Sequence, residues 1–313
     1  MPEARPGVRK ARVSEQEAGQ RIDNYLRRVL GGVPKSAVYR VLRKGQVRVN
    51  GRRIKPEYRL QPGDEVRIPP LHTEEKAHAE PPAAVVADFE QWVLVEDEWL
   101  MIVNKPAGIA VHAGSGLSWG LIDVARAARP NAPFLELAHR LDRETSGCLI
   151  LAKERRALNS LHDLLRTHRG MDKRYLALVA GRWQGGVREV RLDLGRVEGG
   201  REKMGVVDEG REAVSRFRPL QRLADATLME VRIDTGRTHQ IRVQAAHLGH
   251  PVLGDERYGD HRLNREWRRR GLKRMFLHAW QLEFRLPLTG TRYQAEAPLP
   301  DALKTLLDGL EPA

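Results

Sequence analysis

The group in this chain best placed to do chemistry is one aspartate between two arginines, backed by a hydroxyl pair and a glycine: His139-Arg140-Leu141-Asp142-Arg143-Glu144-Thr145-Ser146-Gly147. A positive charge nearby favours the ionised carboxylate. An ionised aspartate on a small-residue turn can act as nucleophile or base, or serve as a structural ion-pair partner. Tyr175 lies in the alternating run Lys173 to Val179, where a tyrosine is commonly half-buried strand core. Its ring is also a flat face on which a base can stack. Asp234-Thr235-Gly236-Arg237-Thr238-His239-Gln240-Ile241-Arg242 gathers Gly, Arg, Thr and His, all able to meet an anion. His247, His250 and Asp255 are spaced loosely enough to raise a metal. Cys148 is the only cysteine, so no disulfide framework and no thiolate metal cage forms within the chain.

These groups need elements to hold them. Leu135 to Leu141 leads into the aspartate and Cys148 to Leu151 continues as a buried strand, which puts Asp142 on a loop between two strands. Trp92 to Glu96 and Leu100 to Asn104 read as strands around an acidic turn, followed by the Lys105-Pro106-Ala107-Gly108 turn. Leu121 to Ala125 opens a helix that ends near Pro130, and a second helix runs from about Glu154 to Arg166. Asp193 to Asp208, Gly-rich and charged, reads as a surface hairpin or insertion. Thr227 to Ile233 is a strand feeding the Arg237 segment, and Leu277 heads a closing strand.

The front of the chain is built differently. Ser14-Glu15-Gln16-Glu17 reads as a capping box, with Ile22, Leu26, Val29 and Leu30 at helical spacing behind it. Pro34 opens a second helix carrying Lys35, Arg40, Arg43 and Lys44. Val47 to Val49, the turn Asn50-Gly51 and Arg52 to Ile54 read as a hairpin, and Asp64 to Ile68 as a strand. Residues 71–88 show no periodicity and read as a flexible linker. The expected division is therefore 1–70, a linker 71–88, and 89–313.

Charge follows the same division. The chain of 313 residues carries a net +13, and residues 1–70 hold 17 basic and 7 acidic side chains, a net of +10. Such a concentration points to a polyanion, nucleic acid above all. No apolar run reaches the ~18 residues of a membrane span, and the basic start, Met1 to Arg12, has no apolar stretch after it, so a cytoplasmic protein is expected.

The order of residues around Asp142 adds a resemblance. His-Arg-Leu-Asp-Arg-x-Thr-Ser-Gly resembles the active-site motif of the RluA-type pseudouridine synthases, which modify ribosomal and transfer RNA; Glu144 stands where relatives often carry Asp. Lys105-Pro106-Ala107-Gly108, the Tyr175 strand and Thr235-Gly236-Arg237-Thr238-His239-Gln240-Ile241-Arg242 are similar to that family's other motifs, in the same order. Arg21 to Ile68 resembles the S4 RNA-binding domain, most specifically in Arg43-Lys44-Gly45-Gln46-Val47-Arg48-Val49-Asn50-Gly51. The resemblance implies an α+β fold: a mixed, mostly antiparallel sheet catalytic domain preceded by a small S4 domain.

It also implies an enzyme that isomerises uridine in RNA to pseudouridine, exchanging an N–C glycosidic bond for a C–C bond with no cofactor and no metal. Asp142 would be the nucleophile, attacking ribose C1′ or working through a glycal. Arg237 would pair with Asp142, and Tyr175 would stack on the freed uracil and help remove the C5 proton. Arg140 would fill the space left by the flipped uridine, Leu277 would lie against the uracil ring, and Thr145 would line the substrate site. Lys35, Arg40, Arg43, Lys44, Arg48, Arg52 and Arg53 would grip RNA backbone. With the S4 unit in front, the implied partner is 23S ribosomal RNA, free or in a pre-50S particle, met by a monomer. Two other readings remain: a transfer-RNA-directed synthase with the same chemistry, and a non-catalytic S4-type binding protein, which would not need Asp142, Tyr175 and Arg237 together.

Overall fold

The structure is a computed structural model, and it describes residues 7–30, 33, 35–70, 80–113, 117–168, 170–197 and 203–311. The N-terminal unit holds β1 (Arg9–Arg12), α1 (Ile22–Val29), α2 (Lys35–Arg43), β2 (Arg48–Val49) and β3 (Glu65–Ile68), with the sheet order β1-β3-β2. Ile22, Tyr25 and Leu26 of α1 meet Val38, Val41 and Leu42 of α2 over Val49, Val66 and Ile68. That buried face leaves Arg40, Arg43, Lys44, Arg48, Arg52 and Arg53 exposed. The side chain of Lys35 and all of Pro34 lie outside the described residues.

Three expectations for this unit change. Glu17 accepts from the Ser14 amide and hydroxyl at 3.0 and 3.1 Å, but the capped element is a separate 3-10 turn (Glu15–Glu17), and the helix starts at Ile22. Asn50-Gly51 does turn the chain, with φ of 50° and 76°, the pair of positive values that a tight two-residue turn requires. The arm after it does not become a strand: Arg52 keeps one isolated bridge to Val49, on the edge of β2 away from β3, and the pairing goes no further. Strand β1 falls in a segment read only as basic charge.

The larger unit follows as α3 (Ala83–Ala87), α4 (Phe89–Trp92), β4 (Val93–Glu96), β5 (Leu100–Lys105), α5 (Leu121–Ala128), β6 (Glu136–Leu137), β7 (Ser146–Ala152), α6 (Arg155–Thr167), β8 (Met171–Ala180), β9 (Arg188–Arg196), β10 (Met204–Val206), β11 (Arg211–Arg222), β12 (Ala226–Ile233), α7 (Gln240–His247), α8 (His261–Arg269), β13 (Leu277–Arg285), β14 (Arg292–Glu296) and α9 (Asp301–Asp308). The sheet runs β10-β9-β11-β12-β8-β13-β7-β5-β4, with β14 on β13 and β6 on β7. Among the described residues β13–β7 is its one parallel pairing. The Asp193–Asp208 insertion is the antiparallel β9–β10 hairpin, with residues 198–202 outside the described set.

Alternation explains the two faces of the centre. Leu149 and Leu151 of β7, with Met101 and Val103 of β5, pack towards α5, whereas Cys148, Ile150 and Ala152, with Leu100 and Ile102, pack towards α6. Helix α6 answers with Ala157, Leu158, Leu161 and Leu164 on one face. Tyr175, Ala177 and Val179 share the first face with Ile241 and Ala245 of α7. Gly147 adopts φ 108°, and a Cβ there would stand 2.2 Å from the Ala279 carbonyl oxygen, so only glycine lets β13 close on β7 behind Asp142.

The expected linker ends earlier than residue 88. Residues 71–79 lie outside the described set, but Ala83–Ala87 is helix, and Val85 and Val86 pack on the main core. The N-terminal unit also rests on α6. Arg155 donates from Nε to the Gln16 carbonyl at 2.9 Å and from Nη2 to Gln20 Oε1 at 2.9 Å, while Gln16 Nε2 donates to Glu154 at 2.9 Å. The Arg155 guanidinium lies 4.6 Å above the Phe134 ring.

Candidate active site

Asp142 sits in the loop from β6 to β7, where the Thr145 amide donates to its carbonyl at 3.1 Å and closes a turn. The Lys105-Pro106-Ala107-Gly108 turn braces that loop from below. Gly108 N donates to the Arg143 carbonyl at 2.9 Å, and Arg143 Nε returns a bond to the Gly108 carbonyl at 2.9 Å. Lys105 is fully buried, and its ammonium donates to the carbonyls of Pro106, Ile109 and Arg143 at 2.8, 2.8 and 3.0 Å. Burial, aided by the charge of Arg274, pulls Lys105 down to about 7. His139 is a neutral strut: burial pushes it down to about 4, and its Nε2 accepts the Ile150 amide at 3.1 Å.

Six residues singled out in the sequence, Arg140, Asp142, Thr145, Tyr175, Arg237 and Leu277, line one cleft of about 80 Å³. Tyr175 enters from β8, between Val231 of β12 and Ala279 of β13. Burial, reinforced by the negative charge of Asp142, holds the Tyr175 phenol well above its usual range. Leu277, at the start of β13, is 3% exposed and supplies an apolar wall.

The arginine that holds the aspartate is a different one from that expected. Arg242 Nη1 donates to Asp142 Oδ2 at 2.8 Å. Arg237 turns away: its Nε donates to the Glu212 carbonyl at 2.9 Å and its Nη2 lies 3.4 Å from His168 Nε2. The reason is helical geometry. His239, at φ 57°, is the N-cap of α7 and Arg242 its third residue, so these two share the face towards Asp142 while Arg237 belongs to the preceding loop. Buried Gln240 locks that loop, accepting from the Arg237 amide at 3.0 Å and the Thr235 hydroxyl at 2.7 Å.

Arg242 is itself aimed. It forks onto Asp255, 2.7 Å from Nε and 2.9 Å from Nη2, and lies 5.0 Å from the Tyr258 ring centroid. Burial would lower the Arg242 pKa, but its bonds and charge pairing with Asp255 and Asp142 outweigh burial and raise it. Burial works against Asp255 too, yet Arg242 and the amides of Arg257 and Tyr258 hold its carboxyl below the usual carboxylate range. Asp255 is thus the anchor of an arginine, and among the described residues no group of three His, Cys, Asp or Glu side chains could hold a metal ion. His250 bonds the Ala180 carbonyl at 2.8 Å.

His239 is the second residue that sequence reading passed over. Burial lowers its pKa, against the pull of Asp142, so the ring is neutral at neutral pH. Its Nδ1 is 2.7 Å from the Tyr258 hydroxyl, which already accepts the Met204 amide at 3.0 Å. The tautomer in which Nδ1 accepts the Tyr258 proton turns Nε2–H towards Asp142 Oδ1, an acceptor only, at 3.8 Å. The signal for Arg242 and His239 was present in the i, i+3 spacing at a helix start; nothing in the sequence around Asp255 marked it as their support. Cys148 is inert, its thiol pushed by burial up to about 12.

The family described as RNA pseudouridylate synthase matches residues 99–247, and the S4 domain matches residues 20–66. A "Ribosomal large subunit pseudouridine synthase C" of Escherichia coli O157:H7 is 50% identical over 98% of both chains. A protein of the same description from Pasteurella multocida is 48% identical over 97% of this chain and 94% of its own. The solved structure "Human RNA Pseudouridylate Synthase Domain Containing 1" is 28% identical, with a TM-score of 0.59 over 71% of this chain and 88% of that one. With a relative half identical over nearly its whole length, and a carboxylate, an aromatic face and an apolar wall meeting in one cleft, the chain belongs to the RNA pseudouridine synthase family.

Proposed function

We propose that this enzyme isomerises specific uridines of 23S ribosomal RNA to pseudouridine, with Asp142 as the nucleophile. The observation that carries the reading is the Asp142 carboxylate, gripped by an Asp255-anchored arginine at a cleft faced by Tyr175 and Leu277. The ribosomal substrate is supported by the description of relatives that match end to end and by the exposed arginines and lysine of the S4 unit.

The target uridine leaves its stack to enter the cleft, and Arg140 at the rim takes its place. Asp142 attacks the sugar while Arg242 keeps the second carboxylate oxygen fixed, so the attacking oxygen is oriented before substrate arrives. Uracil, freed from N1, turns against Tyr175 and Leu277; its C5 bonds to C1′ as the Asp142–C1′ bond breaks, and the proton lost from C5 is matched by one taken up at N1. The raised phenol stays protonated at working pH, so Tyr175 acts as a stacking face and hydrogen-bond donor rather than as a standing phenolate base. Bonds made and broken balance within one nucleotide, which calls for no redox partner and no cofactor.

Each cleft is complete within one chain, which supports a monomer. No described helix is long and apolar enough to cross a membrane, and work on ribosomal RNA would take place in the cytoplasm. The test is to map pseudouridines in RNA from cells lacking the gene, complemented with the wild-type chain or with Asp142→Asn. The reading expects sites in 23S RNA to vanish and return with wild type alone. Loss confined to transfer RNA would contradict the assigned substrate.

A further inference from the structure

Beside the catalytic cleft lies a second, larger hollow of about 590 Å³ that the proposed chemistry does not use. The two share Arg242, and Glu144 on the wall of the second is two residues from Asp142. Lys203, Arg257, Arg268, Lys273 and Arg274 line it, against the carboxylates of Glu144, Asp255 and Glu256. All three carboxylates are engaged: Asp255 by Arg242, Glu256 by Arg268 at 2.7 Å, and Glu144 by Arg143, outside the hollow, at 3.5 Å. The wall therefore keeps a surplus of positive charge.

Arg274 is built into this wall. Its Nη2 donates to the Glu144 carbonyl at 3.2 Å, the Ser146 hydroxyl at 2.9 Å and the Leu277 carbonyl at 3.2 Å, and its Nε to the Met275 carbonyl at 3.1 Å. All four acceptors are neutral oxygens, which orient a guanidinium without neutralising it. A buried relay fixes the Ser146 acceptor. Arg274 can only donate, so the Ser146 oxygen accepts from it and its proton goes to His278 Nδ1 at 2.8 Å. His278 Nε2–H then donates to the Ala297 carbonyl at 3.0 Å. This Ser–His couple has no exposed nucleophile; it positions an arginine.

We propose that this groove binds the phosphodiester backbone of the RNA strand adjoining the flipped uridine, with Arg274 as its fixed contact and Lys203 and Lys273 as its mobile ones. The inference rests on the RNA-uridine reading above and adds where the strand runs. A uridine flipped into an adjacent cleft carries its own phosphates to the cleft mouth. A planar guanidinium with a preset direction suits a phosphate oxygen, and flexible lysines lining the same hollow add charge without sequence readout. The β9–β10 hairpin, which supplies Lys203, thereby becomes part of the RNA site rather than a surface ornament.

The test uses the full chain and unmodified 23S ribosomal RNA made by transcription. One variant carries Lys203→Gln with Lys273→Gln; a control of equal net charge carries Arg166→Gln with Lys304→Gln, exposed on α6 and α9. Affinity is measured against salt, and pseudouridine formation by wild type is measured in parallel. Losing two phosphate contacts should flatten the slope of log affinity against log salt by about 1.4–1.8, since each contact contributes roughly 0.7–0.9. The control should keep the wild-type slope. Equal flattening in both pairs, or in neither, overturns the groove. Absence of pseudouridine from the wild-type reaction would instead overturn the parent reading, whatever the slopes.

Discussion

Asp142 depends on one neighbour for its direction, and that neighbour is Arg242 rather than Arg237. The two arginines differ in what surrounds them: Arg242 is forked between two carboxylates, while Arg237 bonds a backbone carbonyl and approaches a histidine. Lysine in place of Arg242 keeps the charge but cannot serve both Asp142 and Asp255 with fixed geometry. Arg242→Lys should therefore lower the single-turnover rate by about 100-fold, the loss expected from ~1 Å of misplacement, whereas Arg237→Gln should lower it far less. Single-turnover rates of the two variants under enzyme excess check this; a greater loss from Arg237→Gln would restore that residue as the partner. From sequence the two were indistinguishable as letters of one motif. Only the helix start at His239 decides which of them faces the loop.

Elements carry the site through two buried histidines as well as through packing. His139 ties the catalytic loop to β7, and His278 ties β13 to the chain after β14 through Ala297. Burial pushes both down to about 4 from an ordinary value of 6.5. A lowered folded-state value means the unfolded chain takes up protons first as pH falls below 6.5. Stability is thus full above that value and is lost progressively down to about 4, by roughly 3 kcal/mol for each ring at ~1.4 kcal/mol per unit. Thermal melts across pH 7 to 4 should show that fall, and a flat profile would contradict buried neutral rings. Strands β5, β7, β8 and β12 were legible because their alternation or continuous apolar runs report burial directly. The short hairpin after Asn50-Gly51 misled because a strong local turn signal fixes the turn but not how far the arm behind it pairs, and β2 takes its ladder from β3 instead. Helix α3 was hidden because alanines and prolines look alike in linkers and short packed helices, and only Val85 and Val86 hint at a core.

At the scale of the molecule, charge and chemistry are separated along the chain. The first 70 residues hold most of the net charge, and their exposed arginines and lysine lie on a unit with its own apolar core. That unit meets the catalytic part at Gln16, Gln20, Glu154 and Arg155, none of which lines the Asp142 cleft. Removing residues 1–71 should weaken RNA binding and flatten its salt dependence, because fewer counterions are released. The single-turnover rate at saturating short substrate should be largely kept. Loss of that rate in a folded truncated protein would mean that the two units build one site. The sequence made the two units visible through charge and motif; it could not show their contact, which rests on single glutamines and one arginine with no pattern around them.

The central claim is that Asp142 makes the covalent attack, and Asp142→Asn tests it most directly. Asparagine keeps an oxygen for Arg242 to meet, and Arg242 retains Asp255, so the fold and the cleft persist. Conversion of uridine in a ribosomal RNA fragment is followed under single-turnover conditions with enzyme in excess, beside affinity and the melting transition. The account predicts no conversion above background, with affinity and melting close to wild type. Substantial conversion by the variant would remove Asp142 from the reaction.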